Sequence, residues 1–383
     1  MALLFSRCRV VWPLCLTQVA LVISACERIT EAQPTIDCAP LSDGGHYGLQ
    51  ASARQDTVYY ITSSLVQRAG SLTMLGNVFA YDLRRRTSTP IATEVGVDAK
   101  VAPDGTVVFS RRTALASSGS SAPNPQGKRV LVLRRPGQGT VDITSEQESV
   151  DEFFLDRSTG SVVFLLNTPS GSQLHKAALA GGPAVQITTN PTGDKRASFP
   201  SLLGATGGAA ILFQAGAVVR QPLDGRQAGE LRRSEDESLI AVAKNRVAML
   251  REPDRTVLVR AMDTSRDLAT IPLGEAPYTV RSVDEDGYVL VERPDATYEV
   301  HDLTAATSKR PTITLRGLAP ESLIALPSRA GEPRRYAMIA VEASAPNPED
   351  DGTLRSGTTK LCIVSAGKGV LRWNSSATGA TSR

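Results

Sequence analysis

Short apolar segments recur along this chain at a near-constant interval, and that period restricts the fold more than any other feature. The segments are Asn77–Leu83, Arg129–Leu133, Gln173–Leu179, Ala217–Leu223, Thr256–Met262, Thr297–Leu303 and Thr359–Val364. Each reads as a β-strand running into a tight turn. Their starts are separated by 52, 44, 44, 39, 41 and 62 residues. The two long intervals hold the same Pro-rich stretch, Ser121-Ala122-Pro123-Asn124-Pro125 and Ser344-Ala345-Pro346-Asn347-Pro348. Without these insertions the period falls to about 40–45 residues, the size of a four-stranded propeller blade.

The remaining strands recur in step. Before each repeated segment a hairpin ends in an apolar arm. Val107-Val108-Phe109 follows Asp104-Gly105, Val162-Val163-Phe164 follows Thr159-Gly160, Ala210–Phe213 follows Gly207-Gly208, and Tyr288–Val291 follows Asp286-Gly287. Val247–Leu250 and Tyr336–Val341 occupy the same place in their units. Asp-Gly and Gly-Gly between such runs are hairpin signals. After the repeated segment comes a turn and a short strand often ending in Thr, as in Pro90–Thr93, Val141–Thr144 and Val185–Thr188. Each unit is therefore strand, turn, strand, loop, strand, turn, strand. Counting from about Gly48, with Thr57–Ile61 as the second strand of the first unit, gives seven. No window shows a sustained helical period. The expected fold is all-β, a seven-bladed β-propeller of four-stranded antiparallel blades over residues 47–373, with six or eight blades as the alternatives.

The Ala102-Pro103-Asp104-Gly105-Thr106-Val107-Val108-Phe109 hairpin, with Tyr81-Asp82-Leu83 upstream, resembles the propeller repeats of the TolB family. Other units lack the Pro-Asp-Gly turn, and the N-terminal α/β domain of that family has no counterpart here. The resemblance implies a fold and does not carry over a role in the Tol-Pal system.

The N-terminus reads as an export signal: Arg7 and Arg9, an apolar run from Val10 to Ala25, and small residues before Cys26. Ile23-Ser24-Ala25-Cys26 resembles the bacterial lipobox, which implies lipidation of Cys26 after removal of residues 1–25. An uncleaved anchor fits less well, because the apolar run is interrupted by Pro13, Thr17 and Gln18 and a spanning helix needs about 20 apolar residues. An ordinary cleaved signal is the other alternative. Glu27 follows the cysteine. The aspartate associated with inner-membrane retention in enterobacterial sorting is absent there, so the expected location is the outer membrane, facing either the periplasm or the surface. Residues 26–46 contain Pro34, Pro40, Gly44 and Gly45 and read as a tether; residues 374–383 read as a disordered tail.

Of five cysteines, Cys8 and Cys15 leave with the signal and Cys26 carries lipid, so Cys38 and Cys362 remain. Export permits a disulfide, and a Cys38–Cys362 bridge would fasten the first blade's neighbourhood to the last. Two free thiols are the alternative. The mature chain carries 40 basic and 39 acidic side chains, a balance that gives no reason to expect a nucleic-acid partner.

The residues suggest little chemistry. His46, His175 and His301 lie in separate segments, unlike the close spacing of metal ligands. No Gly-x-Ser-x-Gly elbow is present. Acidic clusters at Glu146–Glu152, Glu235–Glu237, Asp284–Asp286 and Glu349–Asp351 fall where strands turn. The arginine runs 84–86, 111–112, 134–135, 232–233 and 334–335 would either be solvated or line one rim. No catalytic residue, metal or cofactor is expected. The expected function is a non-enzymatic, monomeric interaction scaffold that binds an envelope protein or a cell-wall component. Its partner-binding loops would contain Pro123, Asn124, Pro125, Pro346, Asn347 and Pro348. The alternative is a carbohydrate-binding or carbohydrate-active propeller using its central channel, with Asp98, Lys100, Asp151, Arg196 and Arg281 as scattered candidates.

Overall fold

The computed structural model describes residues 35–372 apart from the connections 42–44, 52–55, 69–70, 113–127, 146–148, 169–170, 189–200, 215–216, 232–233, 244–245, 263, 274–278, 284–287, 294–296, 303–312, 317, 328–333, 343–358 and 366–369. Every regular element among the described residues is a strand. After β1 (Thr35–Pro40), blade one holds β2 (Gly45–Ala51), β3 (Thr57–Arg68), β4 (Ser71–Asp82) and β5 (Thr87–Val95). Blade two holds β6 (Lys100–Val101), β7 (Val107–Arg112), β8 (Arg129–Arg134) and β9 (Thr140–Asp142). Blade three holds β10 (Ser149–Asp156), β11 (Ser161–Thr168), β12 (Gly171–Ala178) and β13 (Val185–Gln186). Blade four holds β14 (Ser201–Thr206), β15 (Ala209–Gln214), β16 (Ala217–Pro222) and β17 (Gly229–Leu231). Blade five holds β18 (Glu237–Ala243), β19 (Arg246–Arg251), β20 (Thr256–Ala261) and β21 (Asp267–Pro272). Blade six holds β22 (Thr279–Val283), β23 (Tyr288–Glu292), β24 (Thr297–Asp302) and β25 (Ile313–Arg316). Blade seven holds β26 (Leu318–Ala325), β27 (Arg335–Glu342) and β28 (Thr359–Ser365), and β29 (Val370–Arg372) follows. The seven repeated segments of the sequence are the third strands of the seven blades.

The core consists of seven apolar clusters, each formed by the facing sides of two neighbouring blades. Strand β11 shows how one sequence serves two interfaces. Val162, Phe164 and Leu166 pack toward blade two, while Val163 and Leu165 pack toward blade four. Side chains alternate across a strand, so a second strand buried on both faces must be apolar at nearly every position. That is why β11, β15 and β27 read as unbroken apolar runs.

The ring closes through its ends. β1 pairs antiparallel with β28 and is the outer strand of blade seven, in the order β1-β28-β27-β26. Cys38 lies directly opposite Cys362 in that register, and the two form the disulfide across 324 residues of chain. Thr35–Pro40, expected within a tether of 26–46, is a strand of blade seven, and Gly45 already opens β2. A six-residue strand containing Pro40 has weak local character, and pairing with β28, the disulfide and the Arg86–Asp37 ion pair order it. The C-terminal end makes a second crossover. β29 pairs parallel with β25, giving blade six a fifth strand.

Local chemistry explains the repeated motifs. The Thr that ends the fourth strand replaces a missing ladder partner. Leu131 N donates to Thr144 Oγ1 at 2.9 Å, and Leu174 N to Thr188 Oγ1 at 3.2 Å. The Leu after the third strand donates its amide to the first hairpin turn, Leu179 to Gly160 O and Leu223 to Gly208 O. Gly105 sits at φ +88°, where a Cβ would meet the Tyr59 hydroxyl at 3.1 Å, so the Asp104-Gly105 turn tolerates little else. The first strand of every blade except blade two carries an extra residue against the second, at Tyr47/Gln50, Val150/Phe153, Leu202/Gly204, Leu239/Ala241, Val280/Ser282 and Pro320/Ser322. Such bulges bend and twist a strand locally, here at the crowded axis.

Opening the seam bridge is expected to destabilise the ring. Cys38→Ser with Cys362→Ser, or reduction of the wild type, should lower the stability measured by urea unfolding by about 2–4 kcal/mol. Identical unfolding midpoints with and without reductant would show that β1 is held by its strand pairing alone.

Candidate interaction face

Antiparallel order divides the connections between two rims. First and third strands run the same way, so the loop from second to third strand shares a rim with the link to the next blade. The two hairpin turns, first to second and third to fourth, occupy the other rim. The insertion 113–128 begins after β7, and the insertion 343–358 falls between β27 and β28. Both are second-to-third connections, in blades two and seven, and so emerge on one rim on either side of blade one. Pro123, Asn124, Pro125, Pro346, Asn347 and Pro348 lie outside the described residues, as does Cys26.

Blade one adds its own extension to that rim. β3 and β4 are each 12 residues long and pair from Thr57↔Asp82 to Arg68↔Ser71. β2 accompanies β3 only as far as Gly45↔Ser63, and β5 accompanies β4 only as far as Gly76↔Val95. The pairs Ser64↔Leu75 to Arg68↔Ser71 therefore form a two-stranded ribbon beyond the body of the blade. Met74 on it is 50% exposed. The sequence signal was the apolar Leu65-Val66 and Leu72–Leu75 on either side of Ala69-Gly70, which the period-based reading cut off at Ile61 and Asn77.

The foot of the blade-two insertion is fixed by charge. Arg129, which opens β8, donates from Nη1 to Asp151 O at 2.6 Å and from Nη2 to Asp98 Oδ2. Ser110 Oγ donates to the same Asp98 oxygen at 2.6 Å. Arg111 Nη2 pairs with Asp142, 2.9 Å from Oδ2. In this cluster the Asp98 carboxylate faces both the Arg129 guanidinium and the Ser110 hydroxyl. The three side chains tie β7, β8 and the residues before β6 together. At the blade-seven foot, Thr359 O accepts from Leu41 N at 2.9 Å.

Among the channel candidates, Asp98 and Asp151 meet through Arg129, and Lys100 lies 5.4 Å from the Phe154 ring centroid. Glu152 Oε2 accepts from Leu202 N at 2.5 Å and links blades three and four. Arg196 lies outside the described residues, and Arg281 lies within β22. The three histidines remain apart. His46 is in β2, His175 stacks on Phe164 at 5.6 Å, and His301 is buried in β24.

The arginine runs do not share a rim. Arg84–Arg86, Arg134–Arg135 and Arg334–Arg335 stand at hairpin turns, on the rim opposite the insertions, whereas Arg111–Arg112 stand at the insertion rim. Arg84 pairs with Asp56 at 3.2 Å, and Arg86 with Asp37.

Among the described residues Asp156, Glu237 and Glu299 are buried acids, and the last two stand at sites that the strand pattern did not mark. Glu237 receives both Arg260 terminal nitrogens, at 2.8 and 2.9 Å. The Arg260 hydrogen bonds outweigh desolvation and hold its carboxyl below the ordinary value. For Glu299, burial acts to raise the pKa, but hydrogen bonds from His301 (3.1 Å) and Arg293 (2.6 Å) outweigh it and lower it. A carboxyl whose folded pKa is depressed contributes stability above its unfolded pKa and loses it as pH falls through the folded value.

No family model matches the chain, and no curated protein matches it. Solved structures do match. One is a nidogen/laminin complex, at 11% identity and TM-score 0.37, covering 59% of this chain and 79% of that one. Another is prolyl oligopeptidase B from Galerina marginata bound to a 35mer hydrolysis and macrocyclization substrate, at 10% identity and TM-score 0.46. A third is a prolyl endopeptidase, at 13% identity and TM-score 0.47. The match covers 78% and 79% of this chain, respectively, but only 47% of each peptidase chain.

Glu237→Ala takes the carboxylate from both terminal nitrogens of the buried Arg260 guanidinium and is expected to cost about 3 kcal/mol in denaturant unfolding at neutral pH. The wild type should lose stability as pH falls below about 4.5, the ordinary carboxyl range, and the variant should lose less over the same window. Parallel pH profiles would remove this pair from the acid response.

Proposed function

We propose that this protein is a lipid-anchored cell-envelope propeller that acts as a non-enzymatic scaffold for binding another protein. The supporting observation is the concentration of extended connections on one rim of three adjacent blades. Blades seven and two carry insertions, and blade one between them carries the projecting ribbon. Loops on a rigid scaffold are where proteins place binding functions. The charged groups at the foot of the blade-two insertion are spent on one another, which suits a fixed platform.

The chain's entry supports the orientation. β1 runs with Thr35 beside Ser365 and Pro40 beside Lys360. Thr35 thus starts at the hairpin-turn rim, opposite the insertions. The eight residues from Glu27 to Pro34 span at most about 28 Å. In this reading a lipid on Cys26 holds the hairpin-turn rim toward the outer membrane and presents the insertion rim away from it.

The lipid half is tested by labelled palmitate in a bacterial host. Label should enter the wild type, and Cys26→Ser should neither take it up nor fractionate with the outer membrane. The scaffold half is tested by in vivo crosslinking of wild type and of a chain lacking both 113–127 and 343–358. Loss of specific envelope crosslinks supports the reading, and an unchanged crosslinking pattern rejects it.

A further inference from the structure

The two rims differ in charge, although the mature chain as a whole is balanced. Among the described residues of the turns on the hairpin-turn rim, eight are basic and three acidic; in the described connections on the insertion rim, three are basic and five acidic. Adding the end residues of the strands that reach each rim gives eleven basic against seven acidic on the hairpin-turn rim, and ten against nine on the other. The two signs are also placed differently on the hairpin-turn rim. Several of its aspartates fold back onto their own turns: Asp82 accepts from Arg84 N and Arg85 N, Asp104 from Thr106 N, Asp156 from Ser158 N, and Asp224 from Arg226 N. Its arginines project. The side chains of Arg84, Arg85 and Arg226 are 77%, 83% and 79% exposed. Arg84 pairs with Asp56 and Arg226 with Asp224. Exposed pairs of this kind are weak, and one contact leaves a guanidinium with further donors. Blades one and four, which carry these arginines, stand across the ring from each other.

We propose that the hairpin-turn rim docks on an anionic phospholipid surface and lays the propeller face-down on the membrane that holds its anchor. The partner follows from charge and from where the chain leaves the ring. A guanidinium fork matches phosphate oxygens. A headgroup layer offers such oxygens across the whole width of the disc, whereas a small ligand reaches one turn. Thr35 leaves the ring on this rim, and Arg86 pairs with Asp37 two residues further on, so Arg84 and Arg85 stand next to the point of departure. The eight residues Glu27–Pro34 reach at most about 28 Å, which keeps an anchored rim close to the headgroups. Each arginine held at an anionic surface strengthens binding about fivefold. The inference rests on the reading of Cys26 as the lipid-bearing residue, and it adds the contact that sets the orientation of the disc.

The test uses the purified lipid-free chain from Glu27 to Arg383, which keeps every described strand, and its sedimentation with vesicles of phosphatidylcholine alone or of phosphatidylcholine with phosphatidylglycerol. Arg84→Gln, Arg85→Gln and Arg226→Gln together take three charges from the hairpin-turn rim. Arg111→Gln, Lys128→Gln and Arg251→Gln take the same number from the insertion rim and serve as the control. All six residues lie outside the apolar clusters, so equal thermal melts confirm the fold. The wild type is expected to bind only the phosphatidylglycerol vesicles, and more weakly as salt rises. The first triple variant should bind them about tenfold or more weakly, and the second should bind them as the wild type does. No vesicle binding, or an equal loss in both triple variants, overturns the proposal. Binding of soluble polyglutamate that depends on Arg84, Arg85 and Arg226, with no binding of vesicles, overturns it in favour of an acidic protein. Failure of Cys26 to take up palmitate rejects the anchor and leaves the vesicle result standing, whereas vesicle binding that ignores the three arginines rejects the rim contact and leaves the anchor.

Discussion

Burial of each sheet on both of its faces is the constraint on which this structure depends. Among the described residues no helix covers a four-stranded blade, and a blade has no second sheet of its own to fold against. Its apolar side chains are hidden only by the blade before it and the blade after it, as Val162, Phe164 and Leu166 on one side of β11 and Val163 and Leu165 on the other make plain. Each interface is a separate cluster, so removing one blade would expose two. An open row of such blades would always end in two bare apolar faces. Closure is therefore a requirement of the packing.

Closure makes the join between blades seven and one a special interface. Its cluster combines Val58, Tyr60 and Tyr81 from blade one with Ala337, Ile339 and Leu361 from blade seven. Those two blades are the ends of the repeat and are joined through the chain's N-terminal part, from β1 to β2. β1 pairs with β28 and then continues into β2, so the strand that completes the last blade is covalently continuous with the first. Cys38–Cys362 makes the same join independent of strand pairing. A disulfide at any other interface would tie together blades already adjacent in sequence and would constrain the unfolded chain less.

What was legible in the sequence was whatever is set by alternation and turns. The third strands were visible because each has a fixed partner on both sides and ends at a tight turn. Gly105 and the Asp-Gly hairpins were visible because few residues accept their backbone geometry. The strand role of Thr35–Pro40 and of Val370–Arg372 was not visible. Their structure comes from edges more than 50 residues away in sequence, and a short segment has no periodicity of its own. The first-strand bulges were also hidden, because an extra residue in a strand is indistinguishable from a shift of register until the partner is known. The ribbon was missed for the opposite reason. A period-based reading assigns each unit the same strand lengths, and blade one exceeds them. The base of the candidate face followed the same division. The positions of both insertions were correctly read from the repeat, whereas Arg129 reaching Asp98 and Asp151 required three-dimensional proximity.

The polar groups buried inside the ring follow from the same packing logic. A carboxylate placed between two blades cannot reach water, so it must be matched from within. Glu237 on a first strand meets Arg260 on a third strand, and Glu299 lies two residues from His301 on one side of β24. Both arrangements use the alternation that elsewhere places valine or leucine between blades. Replacing apolar packing by a matched pair gains little stability, and because each pair lies within one blade it stays matched whichever blade packs against it. A ring of seven similar sheets has many ways to stack wrongly. The contact of Glu152 with Leu202 N, which crosses from blade three to blade four, penalises those alternatives in a way that clusters of interchangeable aliphatic side chains do not.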